Sequence, residues 1–334
     1  MATGRDPEFD AHFDSENPTI AASLNLLVGR PLTPSEALWQ LDPDYYKYQR
    51  SLWIDSRLQI ALGKGSLPNA LYDLNRTRFD NLCKLVRRGI VVPFVGAGLS
   101  IPMGMPSWSD FMLNLARLGG GPKARRAVKE QMHLGQYEEA ATHILQLLGD
   151  SEFQERYRAV FDIEAPAAGA LKLLPQIVRG PIMTTNFDHN IENLFKHGLS
   201  MVYHGSDCDD FRRALASSDP VLFKLHGDIK IARSRVLTTS EYDDAYGVRT
   251  QLDHSRPIAR GLRAAFSTRS LLFLAAASAT TAHCRYSKRL PSRKTALFCH
   301  STMPYWNTYP MPTDAIWSTH RSFPYGTRKV NMTS

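Results

Sequence analysis

Apolar residues follow two different periods along this chain. Up to Arg88 they recur at mostly helical spacings, as in Leu58, Leu62, Leu67, Leu71, Leu74, Leu82 and Leu85. That pattern predicts helices. Thr33-Pro34-Ser35-Glu36 marks the start of one, with Thr33 as N-cap, Pro34 at the first helical position and Glu36 completing a capping box. At Ile90 the period changes. Ile90-Val91-Val92-Pro93-Phe94-Val95 is a continuous apolar run between Gly89 and Gly96, as expected of a strand covered on both faces.

Pro181–Thr184, Val221–Leu225 and Leu271–Leu274 are further runs of strand length. Helical pattern lies between the runs, over Ser109–Arg117, Ala124–Leu134, Tyr137–Leu148, Ala168–Val178, Asp188–Lys196, Ser240–Tyr246 and Pro257–Phe266. Gly119–Gly121 and Asp162–Pro166 read as breaks. Short apolar strands alternating with helices predict an α/β fold. We expect a doubly wound, Rossmann-like parallel sheet with a helical N-terminal region. The predicted boundaries are 1–88 for the helical region, 89–274 for the α/β domain and 275–334 for a basic tail.

The composition is that of a globular protein: 43% hydrophobic and 22% charged residues over 334 positions. No apolar run approaches the roughly 18 residues of a membrane-spanning helix. Met1–Asp14 contains no apolar h-region, so a cytoplasmic protein without membrane association is expected. Cys83, Cys208, Cys284 and Cys299 form no C-x-x-C pair, which argues against a structural zinc and against a disulfide framework. The net charge of +8 would invite a nucleic-acid partner. Eight Lys/Arg and a single acid, Asp314, lie from Leu271 onward, leaving 32 bases and 31 acids in residues 1–270. The body is near neutral, and no nucleic-acid binding by it is expected.

Three polar stretches follow the apolar runs. Gly96-Ala97-Gly98-Leu99-Ser100 is a glycine-rich turn after the first strand. Missing side chains at such a turn allow backbone N–H groups to approach a pyrophosphate. A lone G-x-G is weak, and Ile101 occupies the third glycine position of the hydride-transfer fingerprint. Thr184-Thr185-Asn186-Phe187-Asp188 and Lys224-Leu225-His226-Gly227-Asp228 follow the second and third runs. A Thr/Asn/Asp cluster is usually a helix cap, and a single histidine is usually structural. Three such loops on one rim of a parallel sheet predict a ligand site.

These stretches resemble the sirtuin family. Gly96–Ser100, with Gly104-Met105-Pro106 after it, resembles the sirtuin G-A-G-x-S-x-x-x-G-x-P loop. Thr184–Asp188 is similar to T-Q-N-x-D, with Thr185 in place of the glutamine, and His226-Gly227 is similar to the H-G motif. The resemblance covers about residues 88–274. Ser107-Trp108-Ser109 stands where deacylase sirtuins have Asp-Phe-Arg, and no cysteine lies between His226 and Leu271 to form their zinc module. Together with Leu237-Thr238-Thr239-Ser240-Glu241-Tyr242, these departures resemble the bacterial sirtuin-like NAD hydrolases of antiphage defence. The resemblance implies NAD as substrate, no zinc, and a homo-oligomer or a defence-system partner protein. It implies that Asn186 orients water or the ribose hydroxyls and that His226 is the general base. Gly96, Ala97, Gly98, Ser100 and Thr184 would contact the dinucleotide, and Asp188 the nicotinamide side or its loop. A non-catalytic NAD or ADP-ribose sensor is the alternative.

The tail departs from this pattern. Sirtuin-like domains follow the last strand with Gly-Cys/Thr-Ser-Leu, whereas Leu274 here precedes Ala275-Ala276-Ala277-Ser278. Reading the permitted codons of Leu274 to Cys284 one base earlier allows GCSLSNDRTL, which restores the motif. Residues 275–334 are therefore expected to be a frameshifted translation, weakly structured, with Trp306 and Trp317 outside any shared core and NAD binding weakened; an inactive product of a frameshifted gene is a further alternative. With no four-cysteine cluster, the purified protein should contain no stoichiometric zinc by elemental analysis, and chelators should leave its melting temperature unchanged. One zinc per chain, lost together with structure, would contradict this.

Overall fold

The computed structural model describes residues 4–18, 20, 32–217, 219–248, 253–276 and 297–299. The chain divides into two compact units, Met1–Asp80 and Asn81–Ser334.

In the first unit, helices Pro7–Glu16, Pro34–Leu41 and Pro43–Ala61 each begin with proline behind a side-chain cap. Asp6 accepts from the amides of Glu8 and Phe9, Thr33 from Glu36 at 3.2 Å, and Asp42 from Tyr45 at 2.9 Å. Proline lacks only an N–H that would be unpaired there, so it starts each helix without cost. The cap expected at Thr33 is present. Tyr46 is buried, and its hydroxyl donates to Asp10 Oδ1 at 2.7 Å while accepting from the Asp6 amide at 2.8 Å. Helix Asn69–Arg87 runs on into the second unit.

The second unit is built on a parallel sheet of order β3-β4-β2-β1-β5-β6. The strands are β1 (Val91–Val95), β2 (Ile182–Thr184), β3 (Met201–His204), β4 (Val221–Lys224), β5 (Ser270–Leu274) and β6 (Leu297–Cys299). Side chains alternate between two buried faces, as period two requires. Val92, Phe94, Met183, Val221, Phe223, Leu271 and Phe273 pack with helices Cys208–Ala214 and Pro257–Thr268. Val95, Ile182 and Leu222 pack on the other side with Leu171, Leu174 and Ile191. The expected doubly wound α/β sheet is observed.

The register carries the functional consequence. His204 pairs with Lys224, Lys224 with Thr184, Thr184 with Val95, Val95 with Leu274, and Leu274 with Cys299. Six strands thus end on one row, and each loop of interest is counted from it.

Several elements differ from expectation. The break at Gly119–Gly121 is a kink inside helix Trp108–His133, where Gly121 has φ 67 and Pro122 follows. Ala168–Val178 is a 3-10 turn, Gly169–Leu173, and a short helix, Leu174–Ile177, which has Pro175 in its first turn. Helix Asp150–Phe161 and strand β3 were not anticipated. β3 is short, with no residue fully buried, so it gives little apolar signal. Residues 297–299 of the basic tail join the sheet as β6. Trp306 and Trp317 lie outside the described residues.

Directly after β5, Ala275 adopts φ 49, in the left-handed region that favours glycine. The backbone there also lies on the first loop: a Cβ on Gly96 would fall 2.3 Å from Ala276 Cα. A left-handed non-glycine residue costs about 1–2 kcal/mol, and glycine gives back about 0.4–1 kcal/mol through unfolded-chain entropy. Ala275→Gly is therefore expected to stabilise the protein by roughly 0.5–1 kcal/mol, read as a higher urea midpoint. A lower midpoint would mean that packing of the Ala275 methyl outweighs backbone strain.

Candidate functional site

Loops after β1, β2 and β4 meet at the row of strand ends. Gly96 closes β1, and its amide donates to Leu274 O at 2.9 Å. Two 3-10 turns, Ala97–Leu99 and Ile101–Met103, then place Ser100 in the interior. Ser100 Oγ donates to Asp188 Oδ2 at 2.9 Å and accepts from Asn186 Nδ2 at 3.3 Å. Thr184 Oγ1 donates to Val95 O at 2.8 Å and accepts the Asn186 amide at 3.0 Å, which turns the chain away from the sheet. Asp188 Oδ1 accepts the Asn190 amide at 3.0 Å, and burial raises its carboxyl above the ordinary carboxylate range. Ser100, Asn186 and Asp188 are thus one buried hydrogen-bonded cluster. Among the described residues, Asn186 Oδ1 is buried without a hydrogen-bond partner, which is unusual for an amide oxygen and leaves an acceptor for a ligand.

Aromatic packing fixes this loop from its other side. Phe187, between Asn186 and Asp188, meets Tyr157 edge-on at 5.2 Å and Trp108 at 6.1 Å. Trp108 begins its helix behind Ser107, whose Oγ accepts the Asp110 amide at 3.1 Å. The residues that depart from the deacylase pattern therefore build a wall under Phe187.

His226, two residues beyond Lys224 of β4, is buried and held between two tyrosines. Its Nε2 lies 2.9 Å from Tyr246 Oη and its Nδ1 3.4 Å from Tyr242 Oη. Burial keeps the Tyr246 phenol neutral, with its pKa raised well above 10.0. Both tyrosines come from helix Thr239–Tyr246, which Thr238 and Glu241 start as a capping box. Gly227 has φ 100, and a Cβ there would fall 2.2 Å from Ser234 O, so glycine is required after His226.

The glycine turn is less open than its sequence implies. Gly96 and Gly98 donate to the carbonyls of Leu274 and Ala275, the latter at 3.2 Å. Backbone after β5 therefore already occupies the close approach that these glycines permit.

Beneath the loops lies a buried charge cluster that motif reading did not pick out. Lys224 Nζ donates to Phe187 O at 3.1 Å, Asp188 O at 2.9 Å, Glu192 Oε1 at 2.8 Å and Asp228 Oδ2 at 2.8 Å. His189 Nε2 lies 2.9 Å from both oxygens of Asp228. His189, Glu192 and Asp228 bring ligand atoms within 4.8 Å of one another, a donor set that would suit a metal ion. The lysine ammonium already bonds both carboxylates. The available signal was a lysine ending the apolar run Val221-Leu222-Phe223.

Residues 181–286 match the family model described as a SIR2-like domain. The match takes in the Asn186 and His226 loops, begins after the glycine turn, and runs past the Leu274/Ala275 junction. The NAD(+) hydrolase ThsA of Enterococcus faecium is 25% identical over 172 residues, which are 49% of this chain and 34% of that protein. This chain thus spans about a third of the length of that relative. Among the described residues no helix is long and apolar enough to cross a membrane.

Asp228 has a testable electrostatic signature. Burial would raise its pKa, but the His189 hydrogen bond and the Lys224 charge hold it well below the ordinary aspartate value of 3.8. A depressed folded-state pKa contributes stability that is complete above the unfolded value and lost as pH falls through the folded one. Asp228→Asn is expected to lower the melting temperature at pH 7, with the gap to wild type narrowing below pH 3.8. A gap of constant size from pH 7 to pH 3 would remove the carboxylate charge as its cause.

Proposed function

We propose that this protein is an NAD glycohydrolase that cleaves the nicotinamide–ribose bond to give nicotinamide and ADP-ribose. The observation that carries the reading is the buried Ser100–Asn186–Asp188 cluster with its unpartnered Asn186 oxygen, on the same strand-end row as His226. Similarity to a protein named as an NAD(+) hydrolase supports it.

In NAD the nicotinamide ring nitrogen carries the positive charge, so the ring leaves as a neutral molecule and needs no acid. What the reaction needs is an oriented water and one base for its proton, as an oxocarbenium-like centre develops at the ribose. Asn186 can accept from and donate to water or the ribose hydroxyls. With Nε2 of His226 protonated and donating to Tyr246, Nδ1 is the basic position, and the Tyr242 hydroxyl that faces it at 3.4 Å yields that place to the attacking water. The proton of the attacking water goes there as the water oxygen bonds to the ribose carbon. Ser100 and Asp188 hold Asn186, and Gly96, Ala97, Gly98 and Thr184 shape the dinucleotide face. The resemblance to defence hydrolases extends the reading to an antiphage effector.

One observation favours the second reading, a protein that binds NAD or ADP-ribose without turnover. The Gly98 amide is already bonded to Ala275 O, in the segment expected to be frameshifted, and the Gly96 amide to Leu274 O at the end of β5. Sequencing codons 270–290 of the gene tests the frame directly. Chromatography of NAD incubated with the chain, and with a chain restored to GCSLSNDRTL after Leu274, tests the activity. Release of nicotinamide and ADP-ribose is expected, reduced about 10²-fold or more in Asn186→Ala and His226→Ala. Full turnover in both variants would remove these residues from the mechanism, and ADP-ribose binding with no turnover in either chain would select the sensor.

A further inference from the structure

We propose that Lys224 is a positioning residue: a built-in cation that sets the spacing and orientation of the Asn186 and His226 loops, an inference that rests on the NAD-hydrolase reading. Lys224 is the last residue of β4, and its side chain is wholly buried. An ammonium ion in such a place persists only where oxygens replace its water shell. Four do so here. Two are the main-chain carbonyls of Phe187 and Asp188, the residues directly after Asn186. One is Oδ2 of Asp228, two residues after His226, and the fourth is Oε1 of Glu192.

Two main-chain bonds bracket this contact. Leu225 N donates to Thr184 O at 2.9 Å, and Ile229 N donates to Phe187 O at 3.1 Å. These keep the loops paired without the lysine, so its loss loosens their geometry rather than detaching them. The ammonium adds direction. By drawing two consecutive carbonyls toward one point, it fixes the peptide planes that follow Asn186, and through Asp228 it anchors the far side of the His226-Gly227 turn. His189, on Asp228, and Glu192 complete a donor set suited to a divalent cation, with the charge supplied by the chain itself.

The test compares the full chain with Lys224→Met and with the double variant Lys224→Gln, Asp228→Asn, which leaves no unpaired carboxylate at position 228. Steady-state nicotinamide release gives kcat and KM, calorimetry gives the ADP-ribose Kd, and circular dichroism reports folding. Misplacing reacting groups by about 1 Å costs up to about 10²-fold. We expect kcat to fall at least about 10-fold in both variants, with KM and Kd within about twofold of wild type. Lys224→Ala should regain turnover when ethylammonium is added, because a small amine can re-enter the oxygen cradle. Folded variants with wild-type kcat would overturn the proposal, as would absence of amine rescue or loss of fold in both variants. No nicotinamide release from wild type would overturn the hydrolase reading, and the lysine role with it. Wild-type turnover matched by Lys224→Met would overturn the lysine role alone.

Discussion

The strand-end row is the constraint on which this molecule depends. His204, Lys224, Thr184, Val95, Leu274 and Cys299 are linked in register across the sheet. Because β1, β2, β4 and β5 are parallel and buried, polar chemistry is excluded from their middles and appears only at and past their last residues. Counting two positions beyond the row gives Ala97, Asn186, His226 and Ala276. Residues far apart in sequence are thus brought to one edge by hydrogen-bond register alone, before any side chain interacts.

Beyond the row, each loop needs its own means of turning, and each uses a different one. Thr184 spends its hydroxyl on Val95 and on the Asn186 amide, so it shapes the loop from within. Gly227 supplies a left-handed turn against Ser234 that no other residue would fit. Lys224 supplies charge where the carbonyls of one loop and the carboxylate of the next converge. The aromatic wall of Trp108, Tyr157 and Phe187 packs the Asn186 loop as well. A buried carboxylate such as Asp188 persists among these neighbours because hydrogen bonds and the Lys224 charge oppose its desolvation.

How far the sequence foretold this depended on how much signal each element needs to carry. β1, β2, β4 and β5 were legible because a strand buried on both faces must be apolar throughout. β3 was not, since Met201 is exposed and no residue of the strand is fully buried. The turn at Gly169 and Pro175 in the next helix break what reads as a single helix at Ala168–Val178. Of the candidate site, Ser100, Asn186, Asp188 and His226 stood in motifs, and the first three prove to be one hydrogen-bonded cluster. The partners that orient them, Lys224, Tyr242 and Tyr246, were illegible as a set. Their meaning lies in contacts made across loops, and no spacing along the chain encodes those.

The end of β5 is where local sequence and tertiary demand conflict most plainly. Gly96 and Gly98 lack side chains at the points where the backbone of residues 275 and 276 comes closest, so that approach is built into the first loop. The same approach turns Ala275 into left-handed space, where its own Cβ is a liability. One partner of this contact is therefore fitted to it and the other is not. A well-adapted sequence agrees with its fold at both sides of a close contact, because each local choice supports the global one. The mismatch falls where acids become scarce along the chain, inside the stretch that the SIR2-like match covers to residue 286.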